Sequence, residues 1–198
     1  MIDSLTHLLL LISNALLLPV VVALLALFVW TVVLIGGAVK EWSERGRVRR
    51  AIDAAITAVQ SGPRSEVWSA LSSSPGGLPA RLVKAAGDGQ STAAQLDRAL
   101  TSVDHDVADA IAHQVLITRV SPMLGLMGTL IPLGPALSGL AAGNMAALSG
   151  NLIVAFTATV VGLLTSGLSY GISLARRSWY ARDLSDLEFI VAQLKESR

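Results

Sequence analysis

Three long apolar runs alternate with amphipathic stretches along the chain. The apolar runs cover residues 8–39, 120–142 and 151–175, and a transmembrane helix needs roughly 20 such residues. Between the first two runs, apolar residues recur at steps of three and four, as in the segment 52–59, which is the period of a helix with one buried face. The pattern predicts an all-α membrane protein with three transmembrane helices and long cytoplasmic helical extensions.

The order of the runs divides the chain into four predicted parts. These are an N-terminal segment with the first transmembrane helix, a cytoplasmic helical region, the second and third transmembrane helices with a tight outer hairpin, and a C-terminal cytoplasmic helix, at residues 1–39, 40–119, 120–175 and 176–198. We expect the uncharged stretch AGNMAALSG, residues 142–150, to form the loop of the hairpin.

Turn-forming sequences interrupt the predicted cytoplasmic region. They are SGP, SSSPGGLP and GDGQ, all rich in Gly, Pro and Ser. After the last of them, Thr92 is followed three residues later by Gln95, the pattern of a helix-starting capping box. We expect a helix to begin there and to continue, without Gly or Pro, into the second span.

Basic residues indicate the orientation of the spans. Ten of the fifteen Lys and Arg lie between Lys40 and Arg119, and the other five lie from Arg176 onward. Because Lys and Arg near spanning helices stay on the cytoplasmic side, the N-terminus is expected outside and the C-terminus in the cytoplasm. A secretory signal is the competing interpretation of the first run, but Asp3 stands where a basic region is usual and the run is too long.

Composition excludes several classes of function. The chain is 53% hydrophobic and 15% charged, with a net charge of +1 and no cysteine, so it offers no argument for a nucleic-acid partner, a disulfide or a thiolate zinc site. DHDVADAIAH could be a metal or pH-sensing cluster, but no further ligands converge on it, which favours a solvated surface. There is no phosphate loop, no metalloprotease helix and no Ser/His/Asp set at one depth, so we expect neither an enzyme nor a cofactor or metal.

Small residues form one stripe on each of the last two spans. At steps of three and four the stripes read Gly125, Thr129, Pro132, Ala136, Gly139, Gly143 and Ala155, Thr159, Gly162, Ser166, Ser169, Ser173. Such faces let helix backbones approach closely, and hydroxyls can bond between helices. The structural interpretation is close packing of the two helices. The functional interpretation is that one face lines a passage or holds another helix.

Two prolines bear on the functional interpretation. Pro132 and Pro135 each remove an N–H from the helix ladder and so free the carbonyls of Gly128 and Ile131. Free carbonyls at membrane depth need protein or water around them, which favours a hydrated lumen or a protein neighbour. Residues 120–175 include no Asp, Glu, Lys or Arg. If protons are moved, the titrating group must therefore come from another chain.

Two motifs in these spans resemble those of a known family. PMLGLMGT, from Pro122 to Thr129, resembles the P-x-x-G-L-x-G-T signature of the second spanning helix in the MotA/TolQ/ExbB proton-channel family. AFTATVVGL is similar to the third-helix signature, with Thr159, Gly162 and Leu163 in its T-x-x-G-L core. The three-span layout resembles ExbB and TolQ rather than the four-span MotA. Val154 stands where ExbB-like proteins often have a glutamate.

The resemblance implies an architecture and a set of partners. It implies a homo-oligomeric ring, commonly a pentamer, in the cytoplasmic (inner) membrane. The ring would surround a single-span protein of the ExbD, TolR or MotB type, and an aspartate of that partner would carry the proton. Thr129 and Thr159 would line the pore, and Ser166 is a further candidate on the proton pathway. The candidates for helix-packing or partner-facing positions are Gly125, Gly128, Pro132, Ala155 and Gly162.

The expected function is that of a proton-channel or stator subunit, which uses the proton motive force to energise a partner-coupled process such as transport. The alternative is a non-conducting homo-oligomeric membrane scaffold for a single-span partner. A membrane enzyme or secondary carrier is disfavoured, because three spans contain no inverted repeat and no catalytic polar groups.

Overall fold

The computed structural model describes residues 2–87 and 91–196, and within them the chain is helical without any strand. The helices are α1 (Ile2–Ser61), α2 (Arg64–Ser72), α3 (Gly77–Ala86), α4 (Ala93–Ala141) and α5 (Met145–Glu196). Three of them, α1, α4 and α5, are long and apolar enough to cross a membrane. The all-α class and the three candidate spanning helices are therefore confirmed.

The helix breaks fall at the predicted turn sequences. SGP separates α1 from α2, and the turn within SSSPGGLP is confined to residues 73–76, since α3 already begins at Gly77. Gly87 ends α3 with φ at +75°, a conformation that glycine adopts without steric cost. The rest of the GDGQ turn, residues 88–90, lies outside the described residues.

The start of α4 confirms the capping box. The Thr92 N–H donates to Oε1 of Gln95 at 2.7 Å, and the Gln95 N–H donates to Oγ1 of Thr92 at 3.4 Å. This reciprocal pair satisfies two backbone donors at the first turn. From there α4 runs without interruption to Ala141, as the lack of Gly and Pro in its first half predicts.

The hairpin between α4 and α5 is tighter than the sequence suggests. The loop predicted at 142–150 is limited to three residues, because α5 already begins at Met145. Gly143 makes the turn with φ at +71°. Oδ1 of Asn144 accepts the Ala147 N–H at 3.0 Å. That side-chain cap satisfies a backbone donor that would otherwise be free, which allows the helix to start early.

The chain forms two compact units. Unit 1 contains Met1–Ile35 and Gln114–Ile172, and unit 2 contains Gly36–His113 and Ser173–Arg198. The boundaries predicted after residues 39, 119 and 175 fall inside the continuous helices α1, α4 and α5. Those boundaries concern membrane and cytoplasm, and they stay predictions.

Unit 2 has an apolar core built from all five helices. Its largest fully buried aliphatic side chains are Ile52, Leu71, Leu78, Leu82, Leu96, Leu187 and Ile190. Burial of each such side chain contributes about 1.5–3 kcal/mol. The first half of α4 contributes to this core, since Val103 and Val107 are also buried. Trp68 packs against this core.

Charged pairs join α1 to α5 inside unit 2. The Arg45 guanidinium donates two hydrogen bonds to Asp183, one of them at 2.8 Å, and lies over the Trp179 ring. Burial raises the pKa of Asp183, while the hydrogen bond and charge of Arg45 act in the opposite direction. Glu41 pairs with Arg176 at 2.8 Å and accepts the hydroxyl hydrogen of Tyr180. Burial and the bond to Glu41 raise the pKa of Tyr180 to about 12.

Candidate functional site

Most of the site candidates lie where α4 and α5 cross in unit 1, and glycine allows the two helix backbones to touch there. A Cβ atom on Gly162 would lie 2.8 Å from the Ser121 carbonyl oxygen and 3.0 Å from Cα of Gly125. A Cβ on Gly125 would in turn lie 3.2 Å from the Ala158 carbonyl oxygen. Any larger side chain at either glycine would force the two backbones apart, so the crossing depends on both.

The same contact continues one turn along α4. A Cβ on Gly128 would lie only 2.6 Å from Cβ of Ala158, so Ala158 occupies the space that a side chain at Gly128 would need. The five positions predicted for helix packing or partner contact are all buried within this chain: Gly125, Gly128, Pro132, Ala155 and Gly162. Of these, Gly125, Gly128 and Gly162 line the α4–α5 contact.

The two threonines predicted to line a pore lie at this crossing. Each directly follows one member of the Gly128–Ala158 contact, and each is half-buried. The Thr129 hydroxyl donates to the Leu126 carbonyl at 2.7 Å. The Thr159 hydroxyl lies 3.5 Å from the Ala155 carbonyl, at the limit of a hydrogen bond. Both hydroxyl oxygens keep lone pairs that can accept a further hydrogen bond.

Ser166 lies elsewhere on the interface. Its hydroxyl donates across to α4, to the Thr118 carbonyl at 2.7 Å. Along α5 it is seven residues from Thr159, about 10 Å at 1.5 Å per residue. The structure therefore brings Thr129 and Thr159 to one level but does not bring Ser166 to them, and the Ser166 hydrogen is already donated within the chain.

A proline explains why the Thr118 carbonyl is available to Ser166. The helical donor for this carbonyl would be the N–H of residue 122, which is Pro122 and has none. Ser166 supplies the missing donor from the neighbouring helix. The sequence predicted freed carbonyls only before the two later prolines of α4, and this carbonyl was not among them. The signal was present, since Pro122 follows Thr118 by four residues and a serine stripe lies on the next span.

Other hydroxyls of α5 face different surroundings. The Thr157 hydroxyl donates to the Ile153 carbonyl at 2.8 Å, on the side of α5 that faces α1. An apolar groove of about 310 Å³ lies there, between Val21, Leu24 and Leu25 of α1 and the 153–161 stretch of α5. Thr157 is thus a threonine of the same helix that lies away from the glycine crossing.

The chemistry open to this crossing is that of neutral hydroxyls. Thr129 and Thr159 can accept hydrogen bonds from water or from a hydrated cation, but a hydroxyl does not hold a proton as a carboxylate does. In the described part of the chain, no group of three His, Cys, Asp or Glu side chains could hold a metal ion. His113 is exposed, and its Nδ1 lies 2.7 Å from the Asp109 carbonyl oxygen.

Comparison with known proteins identifies a family. A family model described as the MotA/TolQ/ExbB proton channel family matches residues 76–183, which is more than half of the chain and includes the whole α4–α5 crossing. No curated protein and no solved structure matches the chain.

Proposed function

Because the chain belongs to the MotA/TolQ/ExbB proton channel family, we propose that it is the channel-forming stator subunit of a motor similar to ExbB–ExbD or TolQ–TolR. Five copies of the chain form a ring in the cytoplasmic membrane, with the C-terminus of each copy in the cytoplasm. The ring surrounds a single-span partner that carries an aspartate within the membrane. Proton flow through this complex energises a partner-coupled process such as transport.

The observation that best supports the proposal is the composition of the α4–α5 crossing. Two half-buried threonines lie at one level of a glycine-packed helix pair, and residues 120–175 contain no ionisable carboxylate or amine. A carboxylate in the membrane is costly and is usually functional. A division of labour in which the partner brings the carboxylate and this chain brings a neutral polar wall is consistent with that cost.

The hydroxyls of the α4–α5 interface have different roles in proton transfer. Thr129 and Thr159 accept hydrogen bonds from the hydrated proton on its way to and from the partner's aspartate. Ser166 takes part only as an acceptor, since its hydrogen is donated to the Thr118 carbonyl. The glycines Gly125 and Gly162 keep α4 and α5 close enough for the two threonines to lie at one level.

The experiment compares three threonine-to-valine variants in membrane vesicles from the native host. Thr129→Val and Thr159→Val remove a hydroxyl at the crossing, while Thr157→Val makes the same change on the α1-facing side of α5 and is the matched control. Proton uptake is followed with a pH-sensitive dye under an imposed potential. A lost hydrogen bond to a charged group is worth about 1.5–3 kcal/mol, so each crossing variant is expected to conduct at least about tenfold more slowly.

Assembly is measured in the same membranes by native gel electrophoresis. Slow proton uptake with an intact complex supports conduction past the two threonines. Proton uptake at the wild-type rate in both crossing variants, with the complex intact, would contradict it and favour the non-conducting scaffold. An equal loss in Thr157→Val would also count against a specific role for the crossing.

A further inference from the structure

A buried polar layer lies between α4 and α5 in unit 1. Along α4 it precedes the glycine crossing by one to three helical turns. The Ser169 hydroxyl donates to the Gln114 carbonyl at 3.2 Å, and the Thr118 hydroxyl donates to the same carbonyl at 3.0 Å. Ser166 donates to the Thr118 carbonyl at 2.7 Å. All three hydroxyl hydrogens in this layer are therefore used on backbone carbonyls.

The side chain of Gln114 is the exception in the layer. Gln114 is 2% exposed, yet among the described residues neither its Oε1 nor its Nε2 has a hydrogen-bond partner. The Ser121 hydroxyl, two turns further along α4, is likewise buried and unpartnered. An unsatisfied buried polar group costs about 1–3 kcal/mol, and a primary amide has both an acceptor and two donors to satisfy. The hydroxyls of Thr118, Ser166 and Ser169 cannot serve Oε1, because their hydrogens are already donated to backbone carbonyls.

The chemistry of the amide decides what could satisfy it. A metal cation would bind Oε1 but would leave the two Nε2 donors unsatisfied, and an apolar ligand would satisfy neither atom. Water donates to Oε1 and accepts from Nε2, and it can donate to the free lone pairs of the Thr118, Ser166 and Ser169 hydroxyl oxygens. Buried waters typically make about three hydrogen bonds to such otherwise unsatisfied groups.

We propose that Gln114 is the centre of an internal water-binding site within each subunit, between α4 and α5. The site lies inside one chain, so it does not depend on the ring, on the partner or on proton conduction. Its consequence is that the α4–α5 interface is closely packed through glycine at the Gly125–Gly162 crossing but hydrated at the level of Gln114.

Water-edited solid-state NMR on the whole protein in lipid bilayers tests the proposal. The chain has five glutamines, so selective ¹⁵N-glutamine labelling gives few side-chain amide signals. The Gln114 signal is the one lost in Gln114→Met. If that variant does not fold, the Gln114 backbone signal is assigned instead, since His113–Gln114 is the one His–Gln pair in the sequence. The Gln114 side-chain amide signal is then assigned from its correlation with that backbone signal.

The expected result is that magnetisation passes from water to the Gln114 side-chain amide as fast as it does to exposed Gln60. Transfer many times slower than to Gln60 would overturn the proposal, because the amide would then be dry. A Gln114 amide shift that depends on Na⁺, when Na⁺ is exchanged for N-methylglucamine at constant ionic strength, would also overturn it in favour of a cation. An unchanged shift supports water.

Discussion

Ser166→Ala should destabilise the protein more when residue 122 is proline than when it is alanine. The Ser166 hydroxyl is the donor that replaces the missing N–H at the Thr118 carbonyl, at 2.7 Å. Measured hydrogen bonds between helices in a membrane average about 0.6 kcal/mol and reach about 1.7. A carbonyl left without any donor adds to this, so we expect Ser166→Ala to cost about 1–2 kcal/mol.

In the Pro122→Ala background the expected cost is smaller. Alanine restores the backbone N–H, and the Thr118 carbonyl then has its ordinary helical donor. Removing the Ser166 hydroxyl should now cost less than about 0.5 kcal/mol, which leaves a coupling energy of about 1 kcal/mol between the two positions. The intrinsic effect of losing a proline appears in both backgrounds and cancels from the cycle.

The assay is the free energy of unfolding in detergent, from SDS titration followed by tryptophan fluorescence, for the four proteins of the cycle. Ser169→Ala is the matched control. Its hydroxyl donates to the Gln114 carbonyl, which already has a helical donor in the Thr118 N–H, so it should not couple to Pro122→Ala. Additive costs for Pro122 and Ser166, or equal coupling for both serines, would refute the reasoning.

Three further predictions concern packing, charge and pH. Gly162→Ala should destabilise the protein by about 1–3 kcal/mol, because the added methyl group would overpack the crossing. Gly167→Ala on the same helix has open space around it and should be neutral or stabilising. Equal effects of the two substitutions in thermal unfolding would contradict close packing at Gly162. Arg45→Ala should lower the free energy of unfolding by about 2–3 kcal/mol. This is less than for a fully buried pair, because 21% of the Arg45 side chain is exposed. A decrease below about 0.5 kcal/mol in SDS unfolding would contradict the role of Arg45 beside Asp183. Because the folded-state pKa of Tyr180 is raised from 10.0 to about 12, its contribution to stability is present below pH 10 and lost as the pH rises to about 12. Phenolate absorbance of the folded protein, taken as the difference between wild type and Tyr180→Phe, that shows Tyr180 ionising near pH 10 would count against this.

Much of the secondary structure follows from local sequence. The capping box at Thr92 and the turn at Gly87 depend on residues that are neighbours in the chain, and they lie where the pattern predicts them. The hairpin loop was predicted too long because Asn144 starts α5 early through a side-chain cap. Helix ends depend on such single caps, which periodicity does not reveal.

The pairing between helices could be predicted only in part. The small-residue stripes indicate which faces of α4 and α5 are narrow, but not which residue of one helix meets which residue of the other. The register that places Gly162 against Ser121 and Gly125, and Ser166 against Thr118, depends on the packing of both helices along their length. The Arg45–Asp183 pair was missed for the same reason, since its members are separated by 138 positions.

The most direct test of the central claim is native mass spectrometry of the complex, released gently from its own membranes. We expect several copies of this chain, five in the proposal, together with a single-span protein whose membrane segment contains an aspartate. A homo-oligomer without any such companion, under conditions that keep a known complex of this family intact, would contradict the account and favour a scaffold or a self-contained channel.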